Sequence, residues 1–177
     1  IVIHNKYQFE IVKDNDSFDN LWFKINTGMN RLGFEEDEFL DIYNNFLLDK
    51  EFTLMSHLSA SNVPDDPANK NQFARFDNLS NKLHSNVLKS IANTGCIMNF
   101  PEKSYDWVRA GIGIFGGYIG SEELKTTMTL RSQIINIRDI KKGEKVGYDG
   151  RGEAKAKMKI ATVYIGYADG LPNHIKD

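Results

Sequence analysis

Cysteine is almost missing from this chain: Cys96 is the only one in 177 residues. A single thiol excludes a disulfide framework and any CxxC metal site, and it fits a reducing, cytoplasmic setting. Long apolar runs are also missing. None approaches the roughly 18 residues that a membrane-spanning helix needs, so no membrane partner is expected. Histidine is sparse, and His4, His84 and His174 stand apart with no metal-ligand spacing between them. Charge of one sign is not in excess. The net charge is −2 and no basic stripe interleaves with aromatics, which argues against a nucleic-acid partner. The opening IVIHNKYQFEI has no basic leader and no small-residue cleavage site, so it does not read as a signal peptide. With no initiator methionine and a charged, unfinished end at Asp177, the chain is expected to be a piece of a longer protein.

What is present is the composition of a globular domain, 41% hydrophobic and 26% charged, long enough to bury a core. The chain is organised around Trp22 to Phe34, WFKINTGMNRLGF. Leu21, Trp22, Phe23 and Ile25 predict a buried strand, and Asn26-Thr27-Gly28 predicts the turn that ends it. Helical spacing of Phe39, Leu40, Ile42, Tyr43, Phe46 and Leu47 then predicts a helix over 35–49. A second strand is expected over Glu51–Leu58, a long amphipathic helix over Ala68–Leu88, a third strand over Ser90–Gly95 and a fourth over Trp107–Phe115. Ile1–Val12 reads as the tail of a helix or strand. This alternation predicts an α/β fold, half of a parallel (β/α)8 TIM-type barrel.

The pattern changes after Gly117. Alternation over Thr127–Ile140, the Gly-rich VGYDGRGEA and a strand over Met158–Ile165 predict antiparallel β structure. The expected organisation is therefore a partial barrel over 1–120 and the start of a C-terminal β-domain over 121–177.

Barrel enzymes place their ligands at the C-terminal ends of the strands. Arg31, just past the first such end, suits a clamp on carboxylate or phosphate because its fork donates two parallel hydrogen bonds. A solvated loop arginine is the plainer reading. Gly111, Gly113 and Gly116 satisfy G-x-G-x-x-G, but they interrupt an apolar run and no acidic residue follows on a second parallel strand, so a dinucleotide site is rejected. The glycines instead suit close approach of backbone N–H groups to a phosphate. On their own, His57 reads as a strand-end histidine, Arg109 as a rim salt bridge, Thr94 as a helix cap and Tyr148 as a turn residue.

A resemblance adds to these readings. KINTGMNRLGF is similar to the K-V-D-T-G-M-x-R-L-G segment of alanine racemases, enzymes of pyridoxal 5′-phosphate (PLP) fold type III, with Asn26 in place of the usual Asp. WVRAGIGIFGG resembles their V-R-x-G-I-x-x-Y-G segment, ANTG their A-N-S-A, VGYDGRG their V-G-Y-G, and IGYADG matches a family segment throughout. The five motifs run in family order from about Trp22 to about Pro172. The resemblance implies that Gly111 and Ile112 give backbone amides to the PLP phosphate and that Thr94 adds a hydroxyl beside Asn93. It implies that Arg109 contacts the pyridine nitrogen; Ser90 stands where the family often has a histidine that supports this arginine. Arg31 would clamp the substrate carboxylate, Tyr167 would line the substrate entry, and Lys24 occupies a position that some members carbamylate. Tyr148 would be a catalytic base with His57 beside it, and Asp149 replaces the usual glycine next to it.

The implied activity is PLP-dependent racemisation of L- and D-alanine by a lysine/tyrosine two-base mechanism, supplying D-alanine for peptidoglycan. A homodimer is implied, since Tyr148 would act on the other subunit's PLP. No segment here matches the family's PLP-lysine strand, so the chain alone is expected to be inactive. A serine racemase domain of the same fold and a non-catalytic PLP-binding barrel are the alternatives, with a decarboxylase behind them.

Overall fold

The computed structural model describes residues 1–15, 17–118 and 123–172. The chain divides into two compact units, Ile1–Met128 and Thr129–Asp177. The boundary expected near Gly120 falls outside the described residues.

The first unit is a parallel sheet of four strands in sequence order: β1 (Val2–Ile3), β2 (Trp22–Lys24), β3 (Thr53–Met55) and β4 (Leu88–Ser90). Val2 pairs with Trp22, Trp22 with Thr53 and Thr53 with Leu88, so the strand ends stay in step. Helices cover the crossovers: α1 (Lys6–Val12), α2 (Glu36–Ile42) with a π-helical turn over Tyr43–Leu47, and α3 (Pro67–Ser80). Asn5 and Asp66 cap α1 and α3 by accepting from the N–H groups of Gln8 and Ala68. Consecutive, neighbouring parallel strands with covering helices are part of a (β/α)8 barrel.

The core centres on Phe23, fully buried, whose ring lies 5.6–6.4 Å from those of Phe9, Phe34, Phe39 and Phe52. Aromatic groups from β2, the loop after it, α1, α2 and the residue before β3 thus meet at one point and tie helices to sheet.

Several expected elements differ. Ile1–Val12 is both a strand and a helix. The helix expected to reach Leu88 stops at Ser80. Leu83 and Val87 continue the apolar spacing, but Asn81, Ser85 and Asn86 favour turns, and the sheet takes Leu88. The third strand is earlier than expected, because Asn93 caps α4 (Thr94–Asn99) by accepting from Cys96 N–H. Trp107–Phe115 is not a strand. Only Arg109 bridges to Asn93, after which α5 (Gly111–Ile114) begins. Ala110 turns the chain there, with Gly111 N–H donating to Arg109 O at 2.9 Å.

In the second unit β5 (Ile134–Ile140) pairs antiparallel with β8 (Met158–Val163), and β6 (Lys145–Val146) with β7 (Gly152–Glu153). The alternating segment therefore becomes strand only from Ile134, not from Thr127.

Candidate active site

The loop after β2 is closed by its own backbone. Phe34 N–H donates to Lys24 O, and Asn26 N–H donates to Phe34 O. Gly33, at φ +124°, is required here: a Cβ would lie 2.7 Å from the backbone at Ile25 and Asn26. Asn26 organises the turn inside this closure. Its Oδ1 accepts from Gly28 and Asn30 N–H groups, while its Nδ2 donates to Asn30 Oδ1 and, at 2.7 Å, to Glu35 Oε1. An Asp at this position would set two carboxylates against each other, so the amide is matched to Glu35.

The turn presents Arg31, exposed and without a hydrogen-bonded or ion-paired partner among the described residues. Lys24, Arg31 and His57 line one tight recess. Lys24 is buried, and its ammonium pKa is lowered by that burial and then by the charges of Arg31 and Arg109.

Across the strand ends, a cleft of about 380 Å³ is lined by His57, Asn93, Thr94, Arg109, Gly111 and Ile112, with Ser61 and Tyr118 among others. Arg109 donates to Ser90 Oγ, to Ser56 O at 2.6 Å and towards His57 Nδ1 at 3.3 Å. Ser90 in turn donates to Trp107 O, so its hydroxyl is held in place beneath the guanidinium. Burial lowers the Arg109 pKa to about 10, which leaves it cationic at neutral pH.

Burial, and then the charges of Arg109, Arg31 and Lys24, lower His57 to about 4, so the ring is neutral. Its tautomer follows from its neighbours. Both neighbours are donors and a neutral ring has one acceptor. The charged Arg109 donor at 3.3 Å comes closer to Nδ1 than the Asn93 amide at 3.5 Å comes to Nε2, which favours an accepting Nδ1 and a hydrogen on Nε2. Asn93 Nδ2 lies 3.5 Å from His57 Nε2 but cannot accept that hydrogen. Its amide orientation is set, because Oδ1 accepts from Ser61 Oγ and Cys96 N while Nδ2 donates to Leu58 O. The Nε2–H of His57 is therefore available to a group in the cleft.

Thr94 Oγ1 accepts from Gly113 N–H at 3.0 Å, leaving its own hydrogen to donate elsewhere. A Cβ on Gly113 would lie 2.8 Å from Thr94 Cγ2, so glycine is what permits this approach. Ile112 N–H lies in the first turn of α5, where no intrahelical acceptor exists. Gly111 N–H is already engaged by Arg109 O.

Tyr148 and Tyr167 belong to the second unit, where both are exposed on short 3-10 turns. Asp149 sits at φ +57°, a left-handed position that favours glycine and tolerates aspartate, and its carboxylate faces Arg151 Nη2 at 3.9 Å. Sequence reading did not single out Thr27, Ser56, Ser61 or Gln72. Each is a polar residue buried beside the site, and small polar residues near turns carry little signal of their own.

A parallel sheet with a polar, cation-bearing cleft at its strand ends, followed by an antiparallel β unit, defines a (β/α)-barrel ligand-binding protein with an appended β-domain. Comparison identifies the particular kind. Residues 1–119 match the alanine racemase N-terminal domain and residues 127–177 the alanine racemase C-terminal domain. The chain belongs to the alanine racemase family. An alanine racemase of Shewanella sediminis is 36% identical over 98% of this chain and 51% of the relative. The biosynthetic alanine racemase of Pseudomonas aeruginosa superposes with a TM-score of 0.85 at 30% identity, over 98% of this chain and 51% of that structure. An alanine racemase of Bartonella henselae, solved with covalently bound pyridoxal phosphate, superposes with a TM-score of 0.69 at 28% identity, over 86% and 44%. The chain thus spans about half the length of the curated relatives it matches.

Proposed function

We propose that this chain is the PLP-cradling part of a cytoplasmic enzyme that interconverts L- and D-alanine, with D-alanine passing to peptidoglycan. One observation carries the reading: in a member of this family, Arg109, His57, Asn93 and Thr94 meet in a single cleft at the strand ends. The residues present fit PLP. Thr94 has a hydroxyl hydrogen to donate and Ile112 an amide without an acceptor among the described residues; these would hold the phosphate, and Gly111, with no side chain, would leave it room. Arg109, cationic and hydrogen-bonded on its own side to Ser90 and Ser56, would face the pyridine nitrogen and keep it unprotonated.

PLP supplies an electron sink for the pair left at Cα when a substrate proton departs. The protein's part is orientation and proton transfer. Arg31, free of internal partners among the described residues, clamps the substrate carboxylate. Lys24, buried beside two guanidinium groups, is the residue to carry a carbamate, whose negative charge would offset theirs and steady Arg31. In the homodimer, Tyr148 of the partner subunit takes or returns the Cα proton on one face at its phenolic oxygen. The Nε2–H of His57 holds that oxygen, and Tyr167 lines the entry. A lysine that holds PLP serves the opposite face. In this reading the barrel portion runs to about residue 120 and the β-domain follows.

The test is direct. Load the complete protein with PLP, supply L- or D-alanine separately, and follow the enantiomer ratio by chiral chromatography. Both should converge on an equal mixture. Absence of interconversion overturns the proposal, faster turnover of serine reassigns the substrate, and release of carbon dioxide reassigns the reaction.

A further inference from the structure

We infer that Gln72, on the buried face of α3, is a positioning residue that sets the Arg31 turn and the His57 strand end in a single geometry. The inference rests on the racemase reading for the role of Arg31, and on donor accounting for the rest.

Gln72 is 2% exposed and uses its whole hydrogen-bonding capacity. Its Oε1 accepts from both the N–H and the hydroxyl of Ser59, at 2.9 Å each. Its Nε2 donates to His57 O at 3.0 Å and to Thr27 Oγ1 at 3.2 Å. The amide cannot be reversed, because Oε1 must accept from the Ser59 N–H and Nε2 must donate to the His57 carbonyl.

The direction of the next bonds follows. Ser56 Oγ donates to Ile25 O at 2.8 Å, which uses its only hydrogen. The 2.8 Å bond between Thr27 and Ser56 must then run from the Thr27 hydroxyl to Ser56 Oγ. The result is one directed chain, Gln72 Nε2–H to Thr27 Oγ–H to Ser56 Oγ–H to Ile25 O. Every side chain in it is buried. The chain joins α3 to the ends of β2 and β3. Its middle members adjoin the site: Thr27 begins the turn that carries Arg31, and Ser56, whose carbonyl accepts from Arg109, precedes His57.

Packing alone does not call for this amide. A methionine or leucine of similar size would fill the space, and a buried amide is costly unless every bond is made. Low dielectric and mutual polarisation make a completed chain rigid, and rigidity at two strand ends is what a carboxylate clamp needs.

The experiment uses the complete, PLP-loaded protein with Gln72→Met, Thr27→Val and the double variant. Alanine KM and kcat are measured with the bound-PLP spectrum, the thermal midpoint, and calorimetric binding of propionate as a carboxylate probe. Gln72→Met is expected to raise KM and weaken propionate about tenfold, with kcat within about threefold and the PLP spectrum unchanged. Because Thr27 lies on the same chain, the double variant should be little worse than the poorer single one. A lowered midpoint with unchanged KM and propionate affinity overturns the inference, as do additive effects in the double variant. Should Gln72→Met fail to fold, Thr27→Val alone must weaken propionate, and wild-type affinity there overturns it. A wild-type protein that neither racemises alanine nor binds propionate refutes the racemase reading itself, and this inference with it.

Discussion

The barrel unit and the β unit differ in what they bury. In the first, some twenty apolar residues from β1–β3, the segments flanking β4 and helices α1–α4 form one core that includes Phe23. Among the described residues of the second, only Ile140 and Ala154 are buried hydrophobics, and Ile134, Ile135, Ile137, Met158 and Val163 are exposed along the β5–β8 ribbon. A two-stranded ribbon has no second layer to pack its apolar faces against. The site residues follow the same division. Those read as holding the cofactor sit on strand ends and are cross-braced by hydrogen bonds. The two tyrosines read as acting on substrate stand exposed on short turns of the second unit. Binding chemistry needs a fixed cradle, whereas a proton-transfer residue needs only to be presented to the right place.

The sharpest way to break this comparison is Tyr148→Phe in the complete protein. If lysine and tyrosine serve opposite faces, racemisation should fall about 10²–10⁴-fold, while PLP binding holds. Exchange of the Cα proton with deuterated solvent, read by mass spectrometry, should survive for one enantiomer only. Symmetric loss for both would remove Tyr148 from the mechanism.

Stability should divide the units nearly as strongly. Phe23→Ala, at the centre of four aromatic neighbours, should cost about 3–5 kcal/mol. Ile137→Ala on the exposed ribbon should change stability by less than about 0.5 kcal/mol in this chain. Denaturant midpoints of the two variants give the contrast, and equal losses would mean that the ribbon is part of the same cooperative core.

A smaller effect is expected at the clamp. Arg31→Ala should weaken alanine binding by about 1.5–3 kcal/mol and leave PLP affinity near wild type. Titrations of each ligand separate the two, and equal losses would make Arg31 structural.

A further effect is on pH. His57 titrates at about 4 in the fold against an ordinary 6.5, so the unfolded chain binds the proton first on acidification. Its contribution to stability is complete above pH 6.5 and is lost as pH falls through about 4. The thermal midpoint should therefore decline across that window. His57→Gln should flatten part of the decline, and an identical profile would show that the ring is not held neutral.

Local chemistry made much of this readable in one dimension. Phe23 and Ile25 before Asn26-Thr27-Gly28 mark a buried strand and its turn, and the spacing of Phe39, Ile42, Tyr43 and Leu47 marks the helix that covers it. Both signals arise within a few residues. Asn93, Thr94 and Arg109, which line one cleft, each stand in a short segment that could be marked for the same reason. Trp107–Phe115 misled because its composition is that of a strand, while its path is set by Asn93 and by a glycine lying against Thr94. The end of α3 misled because apolar spacing outlasts the helix.

The sequence by itself determined the alternation of strand and helix, the change to β structure and the identities of the ionisable groups, because these depend on periodicity and side-chain type. The tertiary structure alone decided their states. His57 is neutral because it is buried among cations, and its hydrogen favours Nε2 because Arg109, fifty-two positions away, brings a charged donor closer to Nδ1 than Asn93 brings its amide to Nε2. Asn26 suits its turn because Glu35 accepts its amide. Gln72 matters because Thr27, His57 and Ser59 converge on it from two other strand ends. Protonation state, tautomer and the direction of a hydrogen-bond chain depend on what lies within a few ångströms, and for these residues only folding brings those neighbours together.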